Sequence, residues 1–325
     1  MINPFFKNRG PFKIDKLLNS LSVKNENLTR LKVSDIKNLS EAKKNDITFF
    51  HSKKYELLAS KTKASFCITT KSLANILPFD CKKIIVKNVL IATAKITKLF
   101  YPDSAEDEFD TTVKDISKSL FNKKVKYGKN VLIGKNVKIG KNCTIGHNSI
   151  IEKNVIIGNN CSIGSNVIIR NSILYNDIHV LDGCVIGKKG FGFFPNKDKN
   201  IRYPHIGIVI IKDFAEIGCG NTIDRGSMSN TVIGKNTFLD NQIHIAHNNQ
   251  IGDNCIIAGQ VGFAGSSTIG NNVMIGGQAG ISGHLKIGNN IQIGGGSGVI
   301  KNLPDGSKVM GYPAKDLRNF IKDNK

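Results

Sequence analysis

The chain has 325 residues with no Trp, 32 Gly, and 46 Lys or Arg against 25 Asp or Glu, a formal net charge of +21. A hydrophobic share of 40% with 22% charged residues excludes a disordered chain, and no run of about 18 uncharged apolar residues is present to span a bilayer. Seven scattered cysteines without a C-x-x-C pair fit small buried side chains, not a disulfide framework or a zinc ribbon.

The N-terminal stretch MINPFFKNRGPFKIDKLL carries charges where a signal peptide needs an apolar core, so a cytoplasmic location is expected. Residues 1–112 mix helix-like segments (KIDKLLNSL, KYELLASK, LIATAKITKLF) with short β-type runs (DITFF, ASFCITT, KKIIVKNV). That alternation predicts a small α/β domain. YPDSAEDEFD at 101–110 is polar, acidic and Pro-containing, and reads as a linker.

From Ile133 an aliphatic residue returns every sixth position, through Ile139, Ile145, Ile151, Ile157, Ile163 and Ile169. The phase slips by one to Leu174, Val180 and Ile186, and is then interrupted by KKGFGFFPNKDKNIRYPHIG. It resumes at Ile211, Ile217 and Ile223, skips four residues through RGSMSN, and runs from Ile233 to Val299. A period of six fits neither a helix nor simple strand alternation, but it fits a parallel β-solenoid with three short strands per 18-residue coil. The aliphatic points inward, and the Gly, Asn or Asp after it tolerates a tight corner. The fold class is therefore mainly β. A parallel β-helix over 113–312 follows a small N-terminal α/β domain, and 313–325, ending in KDLRNFIKDNK, forms a short helical tail.

Stacking turns spacing into geometry. Residues 18 apart lie one above another on adjacent coils, roughly 4.8 Å apart. Gly265 is 18 residues after His247, and His284 is 37 after it, two coils plus one residue, so all three share one edge. Asp240 precedes His247 by seven residues, on the neighbouring strand. Charge does not point to nucleic acid: between 201 and 300, Arg202, Lys212, Arg225, Lys235 and Lys286 are matched by Asp213, Glu216, Asp224, Asp240 and Asp253.

DNQIHIAHN, TIDRGSM, the GFGF insert and the GH of ISGHLKIG together resemble the UDP-3-O-(3-hydroxyacyl)glucosamine N-acyltransferases of lipid A biosynthesis. The resemblance implies a left-handed coil and a homotrimer with active sites between subunits. It also implies acyl transfer from acyl carrier protein, through its phosphopantetheine arm, to the amine of a UDP-sugar. No metal or other cofactor is implied. The resemblance makes His247 the general base, Asp240 its orienting partner, Gly265 the oxyanion-hole amide and His284 a supporting polar group. In DITFFHSKKY it assigns Phe49 and Tyr55 to stacking on uracil, and Ser52 stands where the family often has Asn. The C-terminal extension is short, so carrier docking is expected to lean on basic surface.

These residue types suit the chemistry. An amine attacking a thioester must lose a proton, which an imidazole can accept, and the tetrahedral oxyanion needs a preorganised N–H. The nearest rival is the related O-acyltransferase acting on UDP-N-acetylglucosamine. The separate N-terminal domain favours the N-acyl enzyme. A zinc lyase using His244, His247 and His284 is a more distant rival, and a structural solenoid without catalysis is the rival outside the enzymes. His244 precedes the inward Ile245 and is expected to point away from His247; His205, beside the insert, is expected to be structural or merely near the cleft. GFGF and IGGGSG read as solenoid turns, not as a dinucleotide loop.

Overall fold

The computed structural model describes residues 3–23, 31–121, 124–195, 197–198 and 200–324. The chain divides into two compact units, Met1–Glu106 with Gly192–Ile206, and Asp107–Phe191 with Gly207–Lys325. Two segments therefore group differently from the sequence division at 112 and 113. The end of the acidic linker joins the solenoid because its carboxylates cap solenoid backbone: Asp107 accepts from Lys189 N–H at 2.9 Å and Asp110 from Lys153 N–H at 2.7 Å. Most of the insert, Gly192–Ile206, joins the first unit, where the His205 amide donates to Ser104 C=O at 3.1 Å.

The first unit contains a four-stranded parallel sheet in chain order: Asp35–Ile36, Asp46–Phe50, Phe66–Thr69 and Lys82–Ile85. Helix Ile14–Ser20 and helix Val89–Phe100 supply apolar side chains to its core, and Asn88 caps the latter by accepting from Ile91 N–H at 3.0 Å. KYELLASK makes a 3-10 turn, Lys53–Tyr55, followed by one helical turn, Glu56–Ala59. The insert is not a solenoid turn as GFGF suggested. Phe193–Phe194 pairs antiparallel with Ile201–Arg202 as a small ribbon.

The second unit is a left-handed parallel β-helix. Its two- to five-residue strands sort into sheets of 8, 10 and 11 strands. They are parallel except where Lys114–Asp115 and Lys315–Asp316 close two of the sheets. Inward positions stack like on like: Ile245, Phe263, Ile281 and Val299 form one buried row. The one-residue slip is absorbed where Ile156–Ile157 pairs with Ile173–Leu174, and the long insert is looped out where Leu174 meets Ile211. The tail forms helix Leu317–Asp323, capped by Asp316. Among the described residues no helix is long and apolar enough to cross a membrane.

Corner chemistry differs in one respect from the sequence reading. The left-handed backbone falls on the third residue after the inward aliphatic, for example Asn136 (φ 59°), Asn154 (φ 65°) and Asn254 (φ 56°), where a short amide side chain relieves the strain. Gly directly after the aliphatic is needed for close stacking instead. A Cβ on Gly140 would meet Asn159 Oδ1 and the Gly158 carbonyl oxygen, both at 2.5 Å. Six of the seven cysteines are buried, and Cys219 is exposed; Cys143, Cys161 and Cys255 behave as small inward side chains, each Sγ donating to a carbonyl of the next coil at 3.2 Å.

Candidate active site

The site is built at the corner that follows strand His244–Ile245. Coil stacking places His247, Gly265 and Gly283 in one column and Asn248, Ser266 and His284 in the next. Ser266 N–H donates to His247 C=O at 2.9 Å, and His284 N–H to Gly265 C=O at 3.0 Å. Asn248, Ser266 and His284 are the left-handed residues of this corner, at φ 65°, 67° and 60°. His284 thus holds a turn position two coils from His247, and its side chain is exposed.

Gly265 lies directly against the His247 ring. A Cβ there would stand 2.6 Å from Cε1 and 2.9 Å from Nε2. Its amide is also available for a reason legible in the neighbouring corner. There, an Asn or Asp one coil on caps the first corner amide, as Asp253 Oδ1 does for Lys235 N–H and Asn271 Oδ1 for Asp253 N–H, both at 2.8 Å. In the His247 column the residue one coil beyond Gly265 is Gly283, which has no side chain. Among the described residues nothing caps the Gly265 N–H. Gly265→Ala is therefore expected to push the imidazole aside and lower kcat about 100-fold, since an ångström of misplacement has that scale of effect. The Gly265 backbone is not left-handed, so urea unfolding is expected to stay near wild type, which a denaturation curve checks alongside the assay.

Asp240 is elsewhere. It follows strand Phe238–Leu239, at the corner before His244–Ile245, whereas His247 stands at the corner after it. Asp240 is exposed and lines an open recess of about 550 Å³ with Gln242, Gly259, Gln260 and Gly277. The group facing His247 Nδ1 is instead Asn248 Oδ1, at 2.8 Å. Sequence reasoning passed over this Asn; the available signal was the four-residue break at RGSMSN, whose serines fold onto it.

His244 faces away from that pair. Its Nδ1 lies 2.7 Å from Thr222 Oγ1 and its Nε2 3.9 Å from Asp224 Oδ2. Burial pushes the Asp224 carboxyl up to about 7, and the nearby Asp107 charge adds to this against Arg225 and Lys188. Burial, with the His247 charge, lowers the His244 pKa. Both groups are driven toward neutrality, so the contact is a long polar one and not an ion pair at neutral pH. No group of three metal-ligating side chains is gathered among the described residues. His205 is buried with Nδ1 2.9 Å from Tyr203 C=O, a structural role.

In the first unit Phe49, His51 and Tyr55 form an aromatic row. Phe49 and His51 are near parallel at 6.1 Å, and His51 to Tyr55 is 5.4 Å. Tyr55 packs on the cluster of Leu39, Phe50, Ala59, Cys67, Leu77 and Cys81. Ser52 Oγ accepts from Lys54 N–H at 3.4 Å and so caps the 3-10 turn. His51, which the sequence reading left out, occupies the middle of the row.

Known proteins match both units. Residues 30–99 match the family described as UDP-3-O-(3-hydroxymyristoyl) glucosamine N-acyltransferase, LpxD, and residues 136–171 and 230–265 match the bacterial transferase hexapeptide repeat. UDP-3-O-acylglucosamine N-acyltransferase 2 of Legionella pneumophila (strain Paris) is 40% identical over 250 residues, covering 75% of this chain and 72% of that one. The chain belongs to the UDP-3-O-acylglucosamine N-acyltransferase family. It is an acyltransferase. A second family member, from Granulibacter bethesdensis, is 36% identical over 245 residues, 75% of this chain and 72% of its own. Among solved structures, the UDP-N-acetylglucosamine acyltransferase from Campylobacter jejuni superposes with a TM-score of 0.52 at 23% identity, covering 59% of this chain and 73% of that one. That likeness speaks for the shared solenoid alone.

Proposed function

We propose that this N-acyltransferase moves a 3-hydroxyacyl group from acyl carrier protein to the 2-amino group of UDP-3-O-acylglucosamine in the cytoplasm, with His247 as general base. The observation that carries this reading is the imidazole of His247 held against Gly265, whose amide has no capping side chain. His247 Nε2 takes the proton as the amine attacks the thioester carbonyl. The Gly265 N–H stabilises the resulting oxyanion. Collapse breaks the C–S bond, and the imidazolium returns its proton to the departing phosphopantetheine thiolate. No protein nucleophile enters, because the two substrates react directly.

The remaining assignments rest on the family resemblance. His284, on the same edge, serves as a supporting polar group. Phe49 and Tyr55 hold uracil, with Ser52 at the rim. Asp240 stands one corner away from His247 in its own chain, so an orienting role for it belongs to a homotrimer in which that corner of one copy closes the cleft of the next. The O-acyltransferase reading is disfavoured by the N-terminal match over 30–99, which is to the N-acyltransferase family.

Mixing the protein with 3-hydroxyacyl carrier protein and the free-amine nucleotide sugar is expected to give a product one 3-hydroxyacyl group heavier by mass spectrometry, linked as a base-stable amide. A base-labile ester, or no transfer, would overturn the assignment.

A further inference from the structure

The environment of the His247 ring differs from that of His147, which holds the same position of the repeat at another corner, and the difference decides which nitrogen bears the proton. His147 stands in the corresponding column of another corner of the same solenoid, between Lys129 and Ser165. Its Nδ1 lies 2.8 Å from the Lys129 amide nitrogen of the coil before it. A backbone N–H can only donate, so Nδ1 of His147 is an acceptor. A histidine following the plain repeat thus caps the preceding coil and presents a protonated Nε2 when neutral.

His247 is prevented from doing this. The preceding coil carries the four extra residues of RGSMSN, which fold over the corner. Asn248 is anchored there from both ends of its amide. Its Oδ1 accepts from Ser227 N–H at 3.0 Å and from Ser227 Oγ at 2.8 Å, and its Nδ2 donates to Ser229 C=O at 2.9 Å and Ser229 Oγ at 2.7 Å. Its own N–H donates to Thr231 Oγ1 at 2.9 Å. Because Ser227 N–H can only donate and Ser229 C=O can only accept, the amide cannot be turned the other way. The oxygen facing His247 Nδ1 at 2.8 Å is therefore an acceptor, and Nδ1 must carry the proton.

We infer that Asn248, locked by the Ser227–Ser229 loop, is the positioning residue of the reaction: it holds His247 in the Nδ1–H form, which puts the basic lone pair on Nε2. This rests on the reading of His247 as base. The anchor is a neutral amide where hydrolytic triads use a carboxylate. It supplies tautomer and ring orientation without placing a negative charge beside the imidazole. The loop also accounts for Gly226: a Cβ there would collide with the Ser229 carbonyl that holds the Asn248 amide. The break in the repeat is thus part of the site.

The test uses the full-length protein and three variants. Asn248→Gly tolerates the left-handed backbone (φ 65°) but removes the amide, and Asn248→Asp keeps an acceptor oxygen at the same place. In nitrogen-15 spectra of labelled histidine, wild-type His247 (assigned by its loss in His247→Ala) is expected to show a protonated Nδ1 in its neutral form. Asn248→Gly is expected to lose that signature and to lower kcat roughly 10- to 100-fold with KM nearly unchanged. Asn248→Asp is expected to restore the signature and recover part of kcat. Wild-type His247 protonated on Nε2, or Asn248→Gly with the signature and kcat both intact, would overturn the inference. An inactive His247→Ala beside a fully active Asn248→Gly sinks only the role of Asn248. An active His247→Ala sinks the base assignment and this inference with it.

Discussion

Replacing His247 by alanine is expected to lower kcat by roughly 10²- to 10⁴-fold, the range associated with removing a positioned proton acceptor. The substrate amine then loses its proton to water, while the Gly265 amide and the binding surfaces stay in place. KM for the nucleotide sugar is expected to change little, which separates lost chemistry from lost binding. The fold should tolerate the change. His247 is half-buried at a corner, and the coils on either side are joined through the His247 carbonyl, which accepts from Ser266 N–H at 2.9 Å whatever the side chain. Steady-state kinetics with a thermal melt on the same sample check both halves. A folded alanine variant with wild-type kcat would remove His247 from the mechanism.

Arg225→Ala is expected to destabilise the protein by about 3–5 kcal/mol, the scale for stripping one partner from a buried ion pair. The Arg225 side chain is 1% exposed and Asp107 is 8% exposed, with Nη1 to Oδ1 at 2.6 Å. Asp107 also accepts from Lys189 N–H, and Arg225 Nη1 lies 3.3 Å from Gly187 C=O, so the pair ties the end of the linker to the solenoid wall. Burial alone would raise the Asp107 pKa; the Arg225 charge and hydrogen bond, with the Lys189 amide, outweigh it and hold it below the usual value. A depressed carboxylate contributes stability above its unfolded pKa, and that contribution disappears as pH falls through the folded one. The urea midpoint at neutral pH should therefore drop sharply in Arg225→Ala. Arg225→Met combined with Asp107→Leu should recover much of the loss, because no uncompensated charge remains buried. A single variant within about 1 kcal/mol of wild type would show the pair to be structurally idle.

What the sequence revealed and what it hid divide along physical lines. A six-residue period specifies which side chains point inward and which residues stack. Ile245 over Phe263, and Gly265 against His247, followed from counting by 18. Counting cannot say what happens where the period fails. The RGSMSN break marks where the stacking is interrupted, but not that its serines grip Asn248, and the insert's length does not show that Gly192–Ile206 groups with the first unit. Asp240 and His247 are near in sequence yet sit at different corners, because one flat side of the prism separates them. In the first unit the spacing of Phe49 and Tyr55 was visible, but the His51 ring between them was not read, since a short extended segment has no period to fix its neighbours.

The central claim is acylation of an amine on a nucleotide sugar. Its most direct test is a competition in which wild-type protein and 3-hydroxyacyl carrier protein meet equal amounts of UDP-3-O-acylglucosamine and UDP-N-acetylglucosamine. The account predicts that the free-amine sugar alone gains a hydroxyacyl group, as an amide. Acylation confined to the N-acetyl sugar would contradict it.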